Sequence, residues 1–389
     1  MTGPEIEREI SAMIRGGIPE SLRLEYKAFP YEATEGGRKE FAKDIAGFAN
    51  RDGGYLVIGV KEKAGRPDEV VGVPTADVDN VILWLESVSR SHVTPVIVGL
   101  KIVHIQHDDL DLIVVDVPQS LDQPHEVPAA GKRFFVREER SVRAMSREEI
   151  KYVIMRQETL MRRVADVANA RWRGFLDDAS SARDKLATGR GGSLFQVFPV
   201  FSQAFALKFD LPHMMEKYPN FKAFHGRDVA SAKPRLDGLE YRYTDGNSGF
   251  SGFVRLHRDG AVEIADTEVM ELDGKPVPGL LLVNSLIDST RRAIAASATI
   301  TGASSFIIDF RARTEPGQGI AFFSDPFRSH RNEVDRAELR FDPLTVSIEE
   351  GWEASTPTLI RPLLDQVWQA WGYVNCGYFN EQGEYAPAR

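Results

Sequence analysis

Three glutamates near the start of the chain have the chemistry of ligands for a divalent metal ion. Glu20 and Glu25 flank the start of a predicted strand, and Glu62 follows the apolar run at residues 55–60. Mg²⁺ and Mn²⁺ prefer such oxygen ligands, and the bound metal polarises a phosphate and activates water. Glu20 and Glu25 are five residues apart, so they do not share a face of a regular strand or helix. They converge only if the chain bends between them; otherwise both are solvated surface residues.

Basic residues are concentrated between residues 132 and 163, in a chain whose formal net charge is −9. Because the whole molecule is acidic, any contact with nucleic acid must come from a local basic patch. The alternative is a solvated face whose charge is offset by neighbouring glutamates. Lys27 also has two interpretations, as a phosphate contact or as the cross-strand partner of a glutamate. The candidate contacts to RNA or DNA are Lys27, Lys132, Arg133, Arg137, Arg140 and Arg143.

Hydrophobic spacing predicts the elements that position these residues. Residues 4–15 and 41–49 have helical spacing, and residues 22–27 alternate like a half-buried strand. Between them, residues 30–38 predict a polar loop, and residues 55–60 predict a buried strand. Further along, the pattern predicts a helix at 78–91 and strands at 96–106, 110–117 and 134–137. A capping box at Ser146 and Glu149 opens a long helix that extends to about residue 177.

The remainder of the chain carries no chemical motif that identifies a reaction. A flexible break is predicted at residues 189–192. Beyond it the pattern predicts strands at 194–200, 239–244, 251–257, 261–265, 304–311 and 338–348, and helices at 280–296 and 359–371. We therefore predict an α+β fold: a domain over 1–155, a connecting helix and linker over 156–190, and a mixed α+β domain over 191–389 that senses a trigger or binds a partner.

Composition limits the class of protein. The single cysteine, Cys376, excludes a disulfide framework within one chain and a multi-cysteine zinc site. No apolar run approaches the roughly 18 residues of a membrane helix, so we expect no membrane contact and a cytoplasmic location. The phosphate-binding pattern Gly-x-x-x-x-Gly-Lys-Ser/Thr does not occur, so ATP binding by that mechanism is unsupported.

Several blocks of the N-terminal part together resemble the AlbA-type domain of Schlafen proteins, a family that acts on nucleic acid. Residues 20–27 look like the Glu-x-x-x-x-Glu-Phe-Lys element, with Tyr26 in place of Phe. Residues 48–60 look like the Phe-Ala-Asn-x-x-Gly-Gly element and the apolar strand after it. Val71-Gly72-Val73 and Phe135-Val136-Arg137, followed by Ser141 and Arg143, are similar to later parts of the family pattern. The resemblance covers residues 18–155 and implies a Schlafen AlbA-like N-terminal domain.

The resemblance also implies a metal site, from which this sequence departs at one position. In the nuclease members, the two glutamates of the first element and an aspartate after the Gly-Val step bind the catalytic metal. The corresponding glutamates are Glu20 and Glu25, but Lys61 stands at the aspartate position. Glu62 is the nearest substitute. On a regular strand it points away from the face of Lys61, so it serves only if the strand has ended or bulges there.

The function that the resemblance implies is a metal-dependent endoribonuclease, using Mg²⁺ or Mn²⁺ at Glu20, Glu25 and Glu62. Its substrate would be structured RNA such as tRNA, in a defence context. Family members with two fused copies form one groove from two lobes, so by analogy this chain is expected to form a homodimer. Lys61 favours an alternative, a non-catalytic nucleic-acid-binding regulatory protein. A third interpretation is an interaction subunit that recruits a protein partner through its C-terminal domain.

Overall fold

The computed structural model has an α+β fold, as predicted, and divides into two compact units, Met1–Met161 and Arg162–Arg389. It describes residues 3–120, 122–131, 133–181, 192–200, 208–217, 232–244, 250–266, 270, 277–314, 316–317, 319–321, 332–348 and 351–387. Within these ranges, no helix is both long enough and apolar enough to span a membrane.

The first unit is built on a sheet in the order β1-β2-β6-β5, in which β1 is parallel to β2 and the other pairs are antiparallel. Its helices are α1 (Gly3–Arg15), α2 (Glu35–Ala49) and α3 (Val78–Ser91). Its strands are β1 (Leu24–Lys27), β2 (Gly54–Ile58), β3 (Val60–Lys63), β4 (Arg66–Val70), β5 (Lys101–His107), β6 (Leu110–Val117), β7 (Glu126–Val127), β8 (Arg133–Glu138) and β9 (Ser141–Ala144).

Both faces of this sheet are covered by apolar side chains. One face packs with the apolar sides of α2 and α3, through residues such as Phe41, Ile45, Leu56, Leu85 and Ile113. The other face packs with α1, through Ile6, Ile10, Tyr26, Val57 and Val114. Burial of each large apolar side chain stabilises the fold by about 1.5–3 kcal/mol. The rigid sheet holds β1 and α2 in place at one edge, where the candidate site lies.

Helix α2 begins earlier than the sequence pattern predicts. Residues 35–38, predicted as loop, form its first turn, because the Thr34 side chain accepts a hydrogen bond from the Gly37 N–H at 3.2 Å and caps the helix. A side chain at position 37 would collide with the carbonyl oxygen of Glu32, so glycine permits this close approach. The extra turn adds Gly36 to a polar face that continues through Lys39.

The strand predicted at 55–60 is divided at Gly59. Gly59 has φ +106°, which breaks the extended backbone, and its N–H donates to the Lys27 carbonyl at 2.7 Å. A separate hairpin of β3 and β4 follows, and its register shifts between Lys61 and Glu62. Glu62 was expected to reach the site only if the strand ended or bulged near it, and this shift in register is such an irregularity. Strand β5 begins at Lys101, later than predicted, because Gly99 at φ +81° interrupts the extended chain.

Helix α4 (Arg147–Ser181) contributes residues to both units and confirms the predicted capping box. The Glu149 N–H donates to Ser146 Oγ at 3.2 Å, and the Ser146 N–H donates to Glu149 Oε2 at 2.8 Å. Of the predicted flexible break, residues 189–191 lie outside the described residues.

The second unit is built on an antiparallel sheet in the order β11-β12-β13-β14-β10-β16-β18, with β19 also paired to β16. The strands are β10 (Gly192–Val200), β11 (Lys233–Arg235), β12 (Gly238–Thr244), β13 (Phe250–His257), β14 (Val262–Asp266), β15 (Val277–Pro278), β16 (Ser305–Arg313), β17 (Ile320–Ala321), β18 (Glu338–Arg340) and β19 (Leu344–Ser347). The helices are α5 (Leu211–Lys217), α6 (Gly279–Thr301), α7 (Trp352–Leu359) and α8 (Arg361–Gln369). The main strands and helices predicted from the sequence are confirmed, except that the strand predicted at 338–348 is two strands.

The two faces of this second sheet differ in polarity. One face is apolar and packs with α6 and α8. The other carries a row of directly paired polar residues across β12, β13, β14, β10 and β16: Glu240, Arg255, Glu263, Gln196 and Asp309. Four of the five are almost fully buried, so their charges and hydrogen-bonding groups must be satisfied within the protein.

Candidate functional site

Arg137 is the most completely buried charged residue of the first unit's candidate site. It lies on β8, and its guanidinium donates to Glu25 Oε2. It also donates to the carbonyl oxygens of Ser21 at 2.9 Å and Leu24 at 3.1 Å, and it packs 4.6 Å from the centroid of the Phe48 ring. Its relative exposure is 0%. Arg137 therefore has no surface with which to contact a phosphate, contrary to the prediction, and instead fixes β1 against β8.

The Phe-Ala-Asn element positions this arginine. Phe48 supplies the ring on which Arg137 packs. Asn50, at the end of α2, makes hydrogen bonds to His125, which precedes β7, and to Phe135 in β8. The Asn50 amide donates to the carbonyl oxygens of His125 at 3.0 Å and Phe135 at 2.9 Å, and its oxygen accepts the His125 N–H at 2.6 Å. These residues thus have a structural role that the sequence motif alone did not reveal.

Lys27 lies among three carboxylates. Its ammonium is 2.9 Å from Glu25 Oε1. It is also 3.5 Å from Glu40 Oε1 and 3.6 Å from Asp44 Oδ2. Burial alone would lower the pKa of Lys27, but the charges of Asp44 and Glu25 outweigh it and raise this pKa. Lys27 was predicted either to contact phosphate or to pair with a glutamate. Its contacts in the structure are those of a partner for glutamate.

Asp44 is the least exposed of these three carboxylates. It is buried, and its Oδ2 accepts a hydrogen bond from the Tyr31 hydroxyl at 2.6 Å. Burial, followed by repulsion from Glu25, raises the pKa of Asp44 to about 6. The Lys27 pKa and the Asp44 pKa thus both lie above their ordinary values, the first because of the surrounding carboxylates and the second because of burial beside Glu25.

A cleft of about 420 Å³ opens beside these residues. It lies between the polar face of α2 and the turn that joins β8 to β9, and Lys39, Lys43 and Arg140 contribute the additional positive charge. Within the described residues, none of these three has a carboxylate partner, whereas Lys27 has three. We name this feature the α2 cleft; its lining residues are Glu25, Lys27, Gly36, Lys39, Glu40, Lys43, Asp44, Arg140, Ser141 and Val142.

Sequence reasoning found Arg140 but missed Lys39 and Lys43. The signal was present, because residues four apart in a helix lie on the same face, opposite the apolar positions Phe41 and Ile45. It was obscured because the start of α2 was predicted six residues too late, at residue 41, so that Lys39 fell outside the predicted helix.

The other predicted nucleic-acid contacts have different surroundings. Arg133 is exposed at the start of β8. Arg143 makes hydrogen bonds of 2.7 Å to both carboxylate oxygens of Glu149 and another of 2.7 Å to Glu138, and these bonds raise its pKa. Lys132 lies outside the described residues. Of the predicted basic residues, Arg140 is therefore the one that the structure places in the α2 cleft without a carboxylate partner.

Glu20 and Glu62 are brought together by the turn at Gly65. The Glu20 N–H donates to the Gly65 carbonyl at 2.7 Å, and Glu62 accepts a hydrogen bond from the Gly65 N–H. Burial raises the pKa of Glu20, although its hydrogen bond from the Tyr26 N–H, 3.0 Å long, acts in the opposite direction. The charges of Glu25 and Glu62 add to the increase, so both of these carboxylates lie close enough to repel Glu20.

These carboxylates are nevertheless arranged for internal contacts rather than for a metal ion. Both oxygens of Glu25 face cations, one from Arg137 and one from Lys27. Glu20 and Glu62 each accept a backbone N–H. In the part of the chain that the structure describes, no three His, Cys, Asp or Glu side chains are grouped so that they could hold a metal ion. The residues do not fit the divalent metal that the family resemblance implied.

Residues 20–146 match the family model described as Schlafen, AlbA_2. This match covers about a third of the chain and confirms the resemblance seen in the sequence. The AlbA_2-like segment, as we name these residues, contains the α2 cleft, the Gly65 turn and the Arg137–Glu25 pair. Among curated proteins, no significant match is found.

Two solved structures are similar to part of the chain. One is the DIP2311 protein from Corynebacterium diphtheriae, with 16% identity over 39% of this chain and 32% of that chain, and a TM-score of 0.28. The other is the N-terminal domain of a putative ATP-dependent DNA helicase RecG-related protein from Nitrosomonas europaea, with 25% identity over 38% of this chain and 93% of that chain, and a TM-score of 0.27. The present chain thus spans about a third of the length of the Corynebacterium protein.

Proposed function

We propose that the AlbA_2-like segment binds nucleic acid, with backbone phosphates entering the α2 cleft. The observation that carries this proposal is the set of three cations at the cleft, Lys39, Lys43 and Arg140, which lack carboxylate partners within the described residues. Lysine and arginine side chains that are free of internal ion pairs are available to replace the counterions of a phosphate backbone. The resemblance to a family that acts on nucleic acid supports the same function.

The ion pairs beneath the cleft support this function by fixing its shape. Arg137 and Lys27 neutralise Glu25, so this carboxylate presents little uncompensated negative charge to an approaching phosphate. Arg140 packs its guanidinium over Gly65, where any larger side chain would displace it. Geometry that is set before binding reduces the entropy lost when the phosphate is held.

The test is binding of fluorescent oligonucleotides by the full chain and by a variant with Lys39, Lys43 and Arg140 all replaced by alanine. We expect a loss of affinity of at least about tenfold, and a salt dependence shallower by about two in log–log slope, because each lost phosphate contact removes about 0.7. The measurement is fluorescence anisotropy across a range of salt concentrations.

A matched variant separates this site from general electrostatics. Lys63, Arg90 and Lys151 are exposed cations outside the α2 cleft, and their joint replacement by alanine removes the same formal charge. We expect it to weaken binding less than about threefold, as for distant screened charges. Equal losses in the two triple variants would contradict a phosphate site at the cleft.

A metal-dependent endoribonuclease acting on structured RNA such as tRNA is the second candidate function. It is favoured by one observation, the irregular register that leaves Glu62 within electrostatic range of Glu20. Because the carboxylates are occupied by internal contacts, we expect binding of tRNA without cleavage in Mn²⁺, Mg²⁺ or EDTA. Cleavage that requires the metal and is lost in Glu20→Gln would establish the nuclease instead; Glu62→Gln serves as a second variant.

A further inference from the structure

We infer that the α2 cleft is specific for single-stranded nucleic acid, and that Phe29 stacks on an unpaired base while the cleft holds the adjoining phosphate. This inference rests on the proposed nucleic-acid-binding function and names the class of strand that the site accepts. It assigns a function to an aromatic residue that neither the sequence motifs nor the ion pairs explain.

Phe29 is unusually exposed for its residue type. Its relative exposure is 72%, and its ring makes no aromatic or cation–π contact among the described residues. By contrast, the neighbouring Tyr31 packs its ring 5.3 Å from that of Phe41. A single exposed apolar side chain needs no explanation by itself. Its position two residues from Lys27, which lines the α2 cleft, gives it a specific use, because most of its surface is available to a ligand.

The loop that carries Phe29 is attached to the cleft on both sides. Lys27 and Tyr31, two residues before and after Phe29, both reach Asp44 on α2: the Lys27 ammonium is 3.6 Å from Asp44 Oδ2, and the Tyr31 hydroxyl is 2.6 Å from it. Two residues of chain span at most about 7 Å. The Cα of Phe29 therefore lies within about 7 Å of the Cα atoms of Lys27 and Tyr31. The side chains of those two residues meet at Asp44, which lines the cleft.

An exposed aromatic ring near a basic cleft favours one class of strand. An unpaired base presents its π-face, whereas a base within a duplex is stacked on its neighbours and cannot reach a side chain without being extruded. The combination of an aromatic platform with a basic groove is how proteins bind single strands without sequence preference. The three cations without carboxylate partners among the described residues line one cleft of about 420 Å³, so we expect it to hold the phosphates of one strand.

The experiment measures binding of the full chain to a single strand of about 12 nucleotides, as DNA and as RNA, and to the duplex of the same sequence. Three variants are compared: Phe29→Ala, Phe29→Trp and Leu83→Ala. Leu83 is 63% exposed on α3 and does not line the cleft, so it is the matched control for loss of an exposed apolar side chain. Phe29 is exposed, so its replacement leaves the fold intact, which circular dichroism verifies.

We expect the unmodified chain to bind single strands at least about tenfold more tightly than the duplex. Phe29→Ala should lose about tenfold for single strands, the typical effect of removing one stacking side chain, with little change for the duplex. Phe29→Trp should retain or increase affinity, and Leu83→Ala should match the unmodified chain. Preferential binding of duplex, or equal affinity of Phe29→Ala and Leu83→Ala for single strands, would overturn the inference.

The inference and the proposed function fail in different ways. If the triple variant of Lys39, Lys43 and Arg140 loses binding but Phe29→Ala does not, the cleft binds phosphates without base stacking, and only the inference is wrong. If neither set of replacements alters binding, or no oligonucleotide binds, the proposed function is wrong as well.

Discussion

Replacing Arg137 with methionine is expected to destabilise the first unit by about 3–5 kcal/mol. The replacement removes the cation of a buried ion pair and leaves its partner, the Glu25 carboxylate, buried. Methionine preserves much of the packing on Phe48 but donates no hydrogen bond. Glu25 Oε2 and the carbonyl oxygens of Ser21 and Leu24 therefore lose the guanidinium as a donor, and Lys27 remains, within the described residues, as the one cation beside Glu25. Guanidinium denaturation of the full chain, with hydrogen exchange of the β1 and β8 amides, measures the effect.

Two further variants make the origin of this effect testable. In Arg143→Met, a partly exposed arginine with carboxylate partners is removed from the neighbouring strand, and we expect a loss of at most about 1 kcal/mol. In the double variant Arg137→Met with Glu25→Gln, the buried charge of Glu25 is removed too, so the loss should be smaller than the sum of the single losses. A loss at Arg137 no greater than that at Arg143 would show that the buried pair does not hold the unit together.

Replacing Glu240 with glutamine is expected to destabilise the second unit by on the order of 2 kcal/mol at neutral pH. Glu240 is 1% exposed and lies 2.5 Å from Arg235, 2.6 Å from Arg242 and 2.8 Å from Arg255. Burial disfavours its charge, but hydrogen bonds from Arg242, Arg235 and Arg255 outweigh burial and lower the pKa of Glu240 to about 2. Thermal unfolding of the two proteins at a series of pH values measures the difference.

The direction of the pH effect follows from the lowered pKa. The ordinary pKa of this glutamate is 4.5, so the unfolded chain takes up a proton at higher pH than the folded chain does. The stabilisation by Glu240 is therefore complete above about pH 4.5 and is lost as the pH falls towards 2. The difference between the unmodified chain and Glu240→Gln should shrink over that window.

The matched control for this variant is Glu338→Gln. Glu338 lies 3.1 Å from Arg340, but both side chains are well exposed, at 43% and 60%. We expect its replacement to change stability by less than about 1 kcal/mol, because water screens exposed pairs. If Glu240→Gln were as mild as Glu338→Gln, or if its effect were independent of pH, the ion pairs between the buried Glu240 and its three arginines would not be stabilising the sheet.

The sequence predicted local structure well where one physical pattern dominated. The apolar spacing at 78–91 and the reciprocal capping of Ser146 and Glu149 were both confirmed, because each depends on residues within a few positions of one another. It was less accurate where backbone conformation depended on a glycine. Gly37 extended α2, and Gly59 divided a strand, through close approaches and a positive φ that hydrophobic spacing does not encode.

The candidate site shows the same division. The sequence by itself determined which acidic and basic residues belong to the first unit, and its motifs predicted the Schlafen, AlbA_2 match over residues 20–146. Only the tertiary structure decided that Arg137 is buried against Glu25, while Lys39 and Arg140 face an open cleft without carboxylate partners within the described residues. Arginine and lysine carry the same charge at any position. Whether that charge is available to a ligand depends on contacts between residues more than a hundred positions apart, such as Glu25 and Arg137, which only folding brings together.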